Sequence, residues 1–325
     1  MQRYSLRAGA SAAAWAPAGP PAGASHAQTA AYPGGVTRIS DMLSHGRTFS
    51  FEFYPPRDDE EHSVLVETLQ DLQPLGPSFV SVTYRGGRES RRRTYQLVVG
   101  MLQTTSLTPM AHLVCAAHTR LELAEILVDL RKAGVDNLMA LGGDPPQDQT
   151  AGLGELRHAV ELVELARAIG GFSIGVAAHP GGHPRSPDLR YDRDRLAEKL
   201  RLADFAVTQF FFRSGEYFRL VDDLSARGVD KPVLAGIMPV TSLAAIPRRA
   251  EMGAAVPAEM VEMLEAAGDA TAVRRAGIEL ATTMCRELLD GGAAGLHFYT
   301  LNRSAATREI YNNLDLAPAP SGGGR

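Results

Sequence analysis

From Thr48 onward, an apolar run of strand length alternates with an amphipathic stretch of helical period, eight times over, and few architectures accommodate that pattern. The strand candidates are Phe49–Phe53, Phe79–Thr83, Ala111–Cys115, Asn137–Leu141, Ser173–Ala177, Ala206–Phe211, Val233–Ile237 and Gly295–Tyr299. Between them lie helical segments such as Asp58–Leu72, Leu121–Lys132, Glu155–Ile169 and Arg193–Leu202. In Leu121–Lys132, the side chains Leu123, Ile126, Leu127 and Leu130 fall on one face. Asp58–Leu72 opens on acidic residues, as a helix N-terminus prefers. Strand–helix alternation with short loops implies parallel strands joined by right-handed crossovers. Eight such units in about 270 residues fit a single closed α/β barrel, (β/α)8 or TIM type, better than an open sheet. The interval from Ile237 to Gly295 has room for one extra helix near Pro257–Ala266, before the last helix, Thr271–Asp290, and its strand.

Composition narrows the function classes. The net charge is −4, with no dominant basic patch, which argues against a nucleic-acid partner. The basic cluster Arg88 to Arg93 reads first as a solvated helix start and second as an attractor of phosphate or polyglutamate. Two cysteines, Cys115 and Cys285, stand far apart with no CxxC, so a disulfide scaffold or zinc site is not expected and a reducing cytoplasm fits. No apolar run reaches the ~18 residues of a membrane span. Residues 1–36 are rich in Ala, Gly and Pro and read as a disordered extension, since Gly9, Pro17 and Gly19 interrupt any signal-type apolar region. Residues 37–316 read as the barrel, and 317–325 as a flexible tail.

The strand Thr48–Phe53 carries one carboxylate, Glu52, among aromatic residues, and two prolines stop it. A strand buried on both faces is ordinarily apolar. Glu52 therefore either pairs with a basic group deeper in the fold, or acts as a general acid held protonated near neutral pH by burial.

A barrel of this kind places chemistry at the carboxyl ends of its strands. The residues expected there include Glu52, Tyr54, Thr83, Tyr84, Asp144, His179, His183, Gln209, His297, Asn302 and Arg303. Asp144 follows Gly142-Gly143 and precedes two prolines, as in a turn whose Asp bonds its own backbone. Equally, the glycines would let a planar ligand approach, with the carboxylate tuning its charge. Gln209, flanked by Thr208 and Phe210, could read the edge of a fused heterocycle. His179 and His183 are four apart, but Pro180-Gly181-Gly182 excludes a helix between them, so no metal site is expected. Gly152-Leu153-Gly154 is not a dinucleotide fingerprint, and neither a P-loop nor a nucleophile elbow occurs.

Seven motifs, taken together and in order, resemble the methylenetetrahydrofolate reductase family from about Thr48 to Tyr311. They are Ser50 to Pro56, Phe79 to Tyr84, Ala111 to Cys115, Ala140 to Pro146, Thr208 to Phe212, Gly236 to Val240, and His297 to Arg303. The resemblance implies a (β/α)8 barrel that reduces 5,10-methylenetetrahydrofolate to 5-methyltetrahydrofolate with NADH or NADPH as the source of hydride. It implies Glu52 as the acid that opens the imidazolidine ring at N10, and Asp144 as the carboxylate that stabilises the cationic iminium. It also implies folate contacts from Gln209, Asp144, Arg303 and Tyr299. Thr83, His112, Gly143, Ala178, His183, Asp192 and Lys199 fall at cofactor-binding positions.

The flavin half of the match departs from the family. Gly142 stands where an Arg is usual, and Ala178-His179-Pro180-Gly181 where Ala-Tyr-Pro-Glu is usual. Arg195 replaces an Asn, and Glu198 replaces a basic residue on the helix that meets the FAD phosphates. A carboxylate near a pyrophosphate weakens its binding. FAD is therefore expected to be absent or weakly bound, with the nicotinamide delivering hydride directly to the folate. Three alternatives stay open: an ordinary FAD-mediated reductase, a barrel using another donor such as a deazaflavin, and a folate-binding paralogue without activity. The expected partners are small molecules, the reduced folate and the nicotinamide dinucleotide, with no nucleic acid and no membrane. A homo-oligomer, and the choice of NADH or NADPH, stay open.

Overall fold

The computed structural model describes residues 37–84, 88–143 and 154–316. Eight parallel strands, β1 Thr48–Phe53, β2 Phe79–Val82, β3 Pro109–Val114, β4 Asn137–Leu141, β5 Ser173–Ala178, β6 Phe205–Thr208, β7 Val233–Ile237 and β8 Gly295–Tyr299, form a closed barrel in chain order. β1 closes the ring on β8 with Ser50 opposite His297 and Glu52 opposite Tyr299. The helices are α1 Ile39–His45, α2 Asp59–Leu72, α3 Arg88–Thr104, α4 Arg120–Lys132, α5 Ala159–Ile169, α6 Leu189–Leu202, α7 Ser214–Ser225, α8 Ile246–Glu251, α9 Ala258–Ala266, α10 Ala270–Asp290 and α11 Ala305–Asn313.

Local chemistry sets the helix starts. Asp58 accepts from the Glu61 amide, Asp188 from Tyr191 and Asp269 from Ala272, each satisfying an amide that has no partner inside its helix. α4 carries a reciprocal capping box between Thr119 and Glu122. Each cap of this kind contributes about 1 kcal/mol.

Period-two alternation divides the strand side chains between two cores. Phe51, Phe53, Val80, Val82, Leu138, Ala140, Leu296 and Phe298 face the helices. Phe79, Met110, Met139, Phe205, Val207 and Leu234 fill the barrel with Ile39 of α1. α1 closes the amino-terminal end of the barrel. The Ile39 amide donates to Asn137 Oδ1, the Ser40 amide to Ser173 Oγ, and Asn137 Nδ2 returns a bond to the Thr37 carbonyl. On β5, Gly175 makes room for a ring: a Cβ there would lie 2.7 Å from the Phe205 side chain.

The expected architecture stands, with changes in detail. β6 ends at Thr208 rather than Phe211. Phe210 leaves the ladder to meet Tyr299 and Phe212, and Phe211 stacks on Tyr217. An aromatic run has the same strand preference whether it is paired or only packed, so its boundary is not readable locally. α6 starts at Leu189 and α5 at Ala159, rather than at Arg193 and Glu155. The interval after β7 holds α8 and a 3-10 turn, Leu243–Ala245, as well as the expected α9. α1 was not expected; its seven residues, about two turns, have too little periodicity to stand out. Residues 1–36 and 317–325, read as extension and tail, lie outside the described residues.

Candidate active site

The inward face of β1 carries Ser50 and Glu52, two residues apart. The outward face carries Phe51, whose ring packs on Phe298 and Tyr311. Glu52 is 6% exposed. Its Oε2 lies 3.4 Å from Ser81 Oγ, 3.5 Å from His297 Nε2 and 3.6 Å from His112 Nε2. Ser81 Oγ lies 3.4 Å from His297 Nε2, and Ser50 Oγ is 2.7 Å from His297 Nδ1. One orientation that satisfies this set has Ser50 donating to Nδ1, Nε2–H to Ser81, and Ser81 to Glu52. Phe79 stacks on the imidazole of His297 from below. Thus β1, β2, β3 and β8 each supply a polar group to one point inside the barrel.

His112, on β3, turns its Nε2 toward Glu52. Burial pushes its pKa down to about 4, against a smaller opposing pull from Glu52, while His297 adds to the lowering. It is therefore neutral at pH 7. Its Nε2 is buried without a hydrogen-bond partner, and so is Thr83 Oγ1 at the end of β2. Buried polar atoms are ordinarily paired. Both residues were expected at cofactor positions, and the structure aims His112 at Glu52. Tyr299 donates its hydroxyl to the Thr208 carbonyl at 2.8 Å. Burial, with Glu52 and Tyr54 nearby, holds that phenol well above its usual range.

Gln209 sits just beyond β6. Its Nε2 donates to the Met252 carbonyl at 2.9 Å, and its Oε1 accepts from the Phe210 amide at 3.0 Å. Both ends of the amide are thus satisfied within the chain. Arg303, beyond β8, is exposed, and its guanidinium makes no hydrogen bond or ion pair among the described residues.

A second polar group gathers where β5 meets α6. The His183 amide and Ser186 Oγ donate to Asp192 Oδ1 at 2.9 and 3.2 Å. The rings of His179 and His183 meet edge to face at 4.7 Å. Arg193, 1% exposed, donates to Asp192, Asp223 and the carbonyls of His179 and Pro180. Lys199 donates to the Ala177 carbonyl at 2.7 Å, and burial pulls its ammonium down to about 8 against Asp192. Ala178 is buried, its carbonyl accepting from the Gln209 amide. Gly143, at φ +79°, approaches Val114 and Ala116 closely, and its carbonyl accepts from Arg185.

Glu198 lies on α6. Its carboxylate is half-exposed on α6 and pairs with Arg195 at 2.6 Å. The pair lines a surface groove with Asp194, Arg201 and Arg227. Leu196, Ala197 and Leu200 take the inward positions of the helix, so its phase turns Arg195 and Glu198 outward.

For a flavin, the residues present fit in one part and not in another. The orphaned Thr83 Oγ1 and His112 Nε2 suit the polar edge of a planar heterocycle. At the diphosphate end, Arg193 is fully engaged internally and Lys199 is buried against a carbonyl. Asp144, Pro145-Pro146 and Gly152-Leu153 lie outside the described residues. Among the described residues, no three His, Cys, Asp or Glu side chains gather as a metal site. No helix among them is long and apolar enough to cross a membrane. Sequence reasoning gave no role to Ser50, Ser81 or Arg249. The alternations Ser50-x-Glu52 and His297-x-Tyr299 were the available signal, but the strand register that makes them neighbours was not.

The family described as Methylenetetrahydrofolate reductase matches residues 38–315. A 5,10-methylenetetrahydrofolate reductase of Escherichia coli is 35% identical over 272 residues, covering 83% of this chain and 91% of that protein. One of Pectobacterium carotovorum is 34% identical, covering 83% and 90%. A protein of Arabidopsis thaliana named Methylenetetrahydrofolate reductase (NADH) 1 is 32% identical, covering 86% of this chain and 50% of that protein. Among solved structures, a Clostridium thermocellum protein described as binding two copies of 5-methyl-5,6,7,8-tetrahydrofolic acid superposes with a TM-score of 0.63 at 12% identity, covering 86% of this chain and 98% of that one. At that identity, the likeness is one of fold.

Proposed function

The chain belongs to the methylenetetrahydrofolate reductase family and is an oxidoreductase acting on methylenetetrahydrofolate; from that premise we propose that it makes 5-methyltetrahydrofolate with hydride taken directly from a nicotinamide dinucleotide and with Glu52 as the acid. The observation that carries this reading is the Glu52 carboxylate inside the barrel, 6% exposed and surrounded by Ser81, His112 and His297.

Glu52 donates a proton to N10 of the bridged folate. The bond from the methylene carbon to N10 breaks, its electrons stay on N10, and the N5 lone pair forms an iminium. The dihydronicotinamide gives a hydride to that carbon and leaves oxidised. A general acid contributes about 10²–10⁴-fold to such a step. The chain Ser50–His297–Ser81 holds the carboxyl oriented and gives it a route for reprotonation. Neutral His112 adds no competing positive charge beside the iminium. Gln209 meets the heterocycle edge after releasing Met252, Tyr299 flanks it, Asp144 is assigned the stabilisation of the iminium by its motif, and Arg303 takes a carboxylate of the glutamyl tail.

Support for direct transfer comes from the β5–α6 corner, where Arg193 and Lys199 are committed to internal partners. A second reading, FAD-mediated transfer, is favoured by the orphaned Thr83 Oγ1 and His112 Nε2. In it, Thr83, His112, Gly143, Ala178, His183, Asp192 and Lys199 would hold the flavin, which would relay hydride from the nicotinamide to the folate. The deciding experiment is an absorbance spectrum of the purified protein, then turnover of methylenetetrahydrofolate with NADH or NADPH, with and without FAD. Direct transfer requires a colourless protein that turns over without FAD. A yellow protein, or turnover that needs FAD, establishes the second reading. No turnover with either donor under both conditions overturns the proposed reaction.

A further inference from the structure

Between β7 and α9 the chain crosses the mouth of the barrel as a 3-10 turn, α8 and the pair Met252-Gly253. The Met252 carbonyl reaches Gln209, beyond β6. From α8, Arg249 extends toward Pro239, beyond β7, and Tyr54, beyond β1, is near enough to act on its charge. Its guanidinium thus lies under this segment, at the rim where substrate must enter.

Arg249 is 6% exposed. Of its five donors, Nη2 reaches the Pro239 carbonyl at 3.4 Å, Nη1 lies 3.8 Å from Met252 Sδ, and Nε is buried with no partner. No carboxylate among the described residues pairs with it. Arg193, also buried, is the contrast within the same molecule, with two carboxylates and two carbonyls around it. A buried cation without a counter-charge destabilises the unliganded protein. Burial accordingly lowers the Arg249 guanidinium from its ordinary value, and the adjacent Arg248 acts in the same direction. Met252 contacts both Arg249, through sulfur, and Gln209, through its carbonyl, so a ligand that frees the Gln209 amide also loosens the cover over Arg249.

We propose that Arg249 forms an oxyanion subsite at the barrel mouth, whose guanidinium receives a carboxylate or phosphate of a bound ligand beneath the α8 segment. The chemistry is the planar fork of a guanidinium against two oxygens. The identity of the ligand rests on the proposed function: a glutamyl carboxylate of the folate, or a phosphate of the dinucleotide.

The test compares the full-length wild type with Arg249→Met, which keeps the apolar stem and removes the charge, and with Arg249→Lys. Dissociation constants are measured for 5-methyltetrahydrofolate, for 6-methyltetrahydropterin, which lacks the glutamyl tail, and for ADP. Melting temperatures are taken without ligand. The subsite predicts that Arg249→Met melts at or above the wild type, by roughly 2 °C. It also predicts affinity for one anionic ligand about 10–100-fold weaker, with the tetrahydropterin unchanged and Arg249→Lys intermediate. Loss confined to 5-methyltetrahydrofolate identifies the carboxylate, and loss confined to ADP identifies the phosphate. All three affinities within twofold of wild type, whatever the melting temperature, or a parallel loss for the tetrahydropterin, overturns it. If the wild type binds no folate, the functional reading fails by itself, and ADP then decides: an Arg249-dependent affinity supports the subsite, and an unchanged affinity or no binding refutes it.

Discussion

Glu52 Oε2 on β1 and His297 Nε2 on β8 lie 3.5 Å apart inside the barrel, with Ser81 Oγ of β2 within 3.4 Å of both. The closure of β1 on β8 creates this contact. It converts a carboxylate in an aromatic strand into one member of an oriented set.

Replacing Glu52 with Gln preserves shape and removes the proton. Turnover of methylenetetrahydrofolate should fall by about 10²–10⁴-fold, while 5-methyltetrahydrofolate still binds within a few-fold of wild type. Steady-state kinetics and a binding titration check both parts; undiminished turnover would remove Glu52 from the acid role.

His112 and His179 are both lowered to about 4, chiefly by burial. Between pH 6.5 and 4 the unfolded chain therefore binds more protons at these positions than the folded one. Their contribution is fully present above the unfolded value and is lost as pH falls toward the folded one. At pH 5 the loss is on the order of 2 kcal/mol per histidine. Denaturant melts at pH 7 and pH 5 should show it, and His112→Gln should reduce the pH dependence by about its own share. A variant with the wild-type pH dependence would contradict the assignment.

Arg193 holds the turn after β5 by bonds to two of its carbonyls, and it ties α6 to α7 through Asp223. Arg193→Met leaves Asp192 buried beside an uncharged neighbour. A loss of about 3–5 kcal/mol is expected from breaking one side of a buried pair, read as a lower urea midpoint. Stability within 1 kcal/mol of wild type, a margin well under that estimate, would show that the network is not needed.

Gly253 has φ +115°, and a Cβ there would lie 3.1 Å from Gln209 Nε2. Gly253→Ala strains the backbone at a cost of about 1–2 kcal/mol and presses on the amide that Met252 holds. The expected result is a several-fold change in the folate KM with a smaller change in the KM for the nicotinamide dinucleotide. Equal changes in the two constants would argue that the segment does not act through Gln209.

The acidic start of Asp58–Leu72 acts within the first turn of its own helix, so it was legible from the sequence. The partners of Gln209 and Glu52 were not, because each comes from a distant element: Met252 from α8's far end, His297 from the last strand. Glu198 shows a different loss. Its residue type drew attention, but only the packed phase of α6 turned it outward to Arg195.

Alternation of apolar strands with amphipathic helices determined the barrel by itself, because parallel strands need crossovers and a hydrophobic face needs cover. The same local pattern determined that one carboxylate would be buried in β1. Which groups surround that carboxylate, and that Arg249 would be left without a counter-charge under α8, only the tertiary structure decided. Strand register and side-chain reach bring together residues far apart in sequence, and desolvation then sets how each behaves, a property that no short stretch of chain contains.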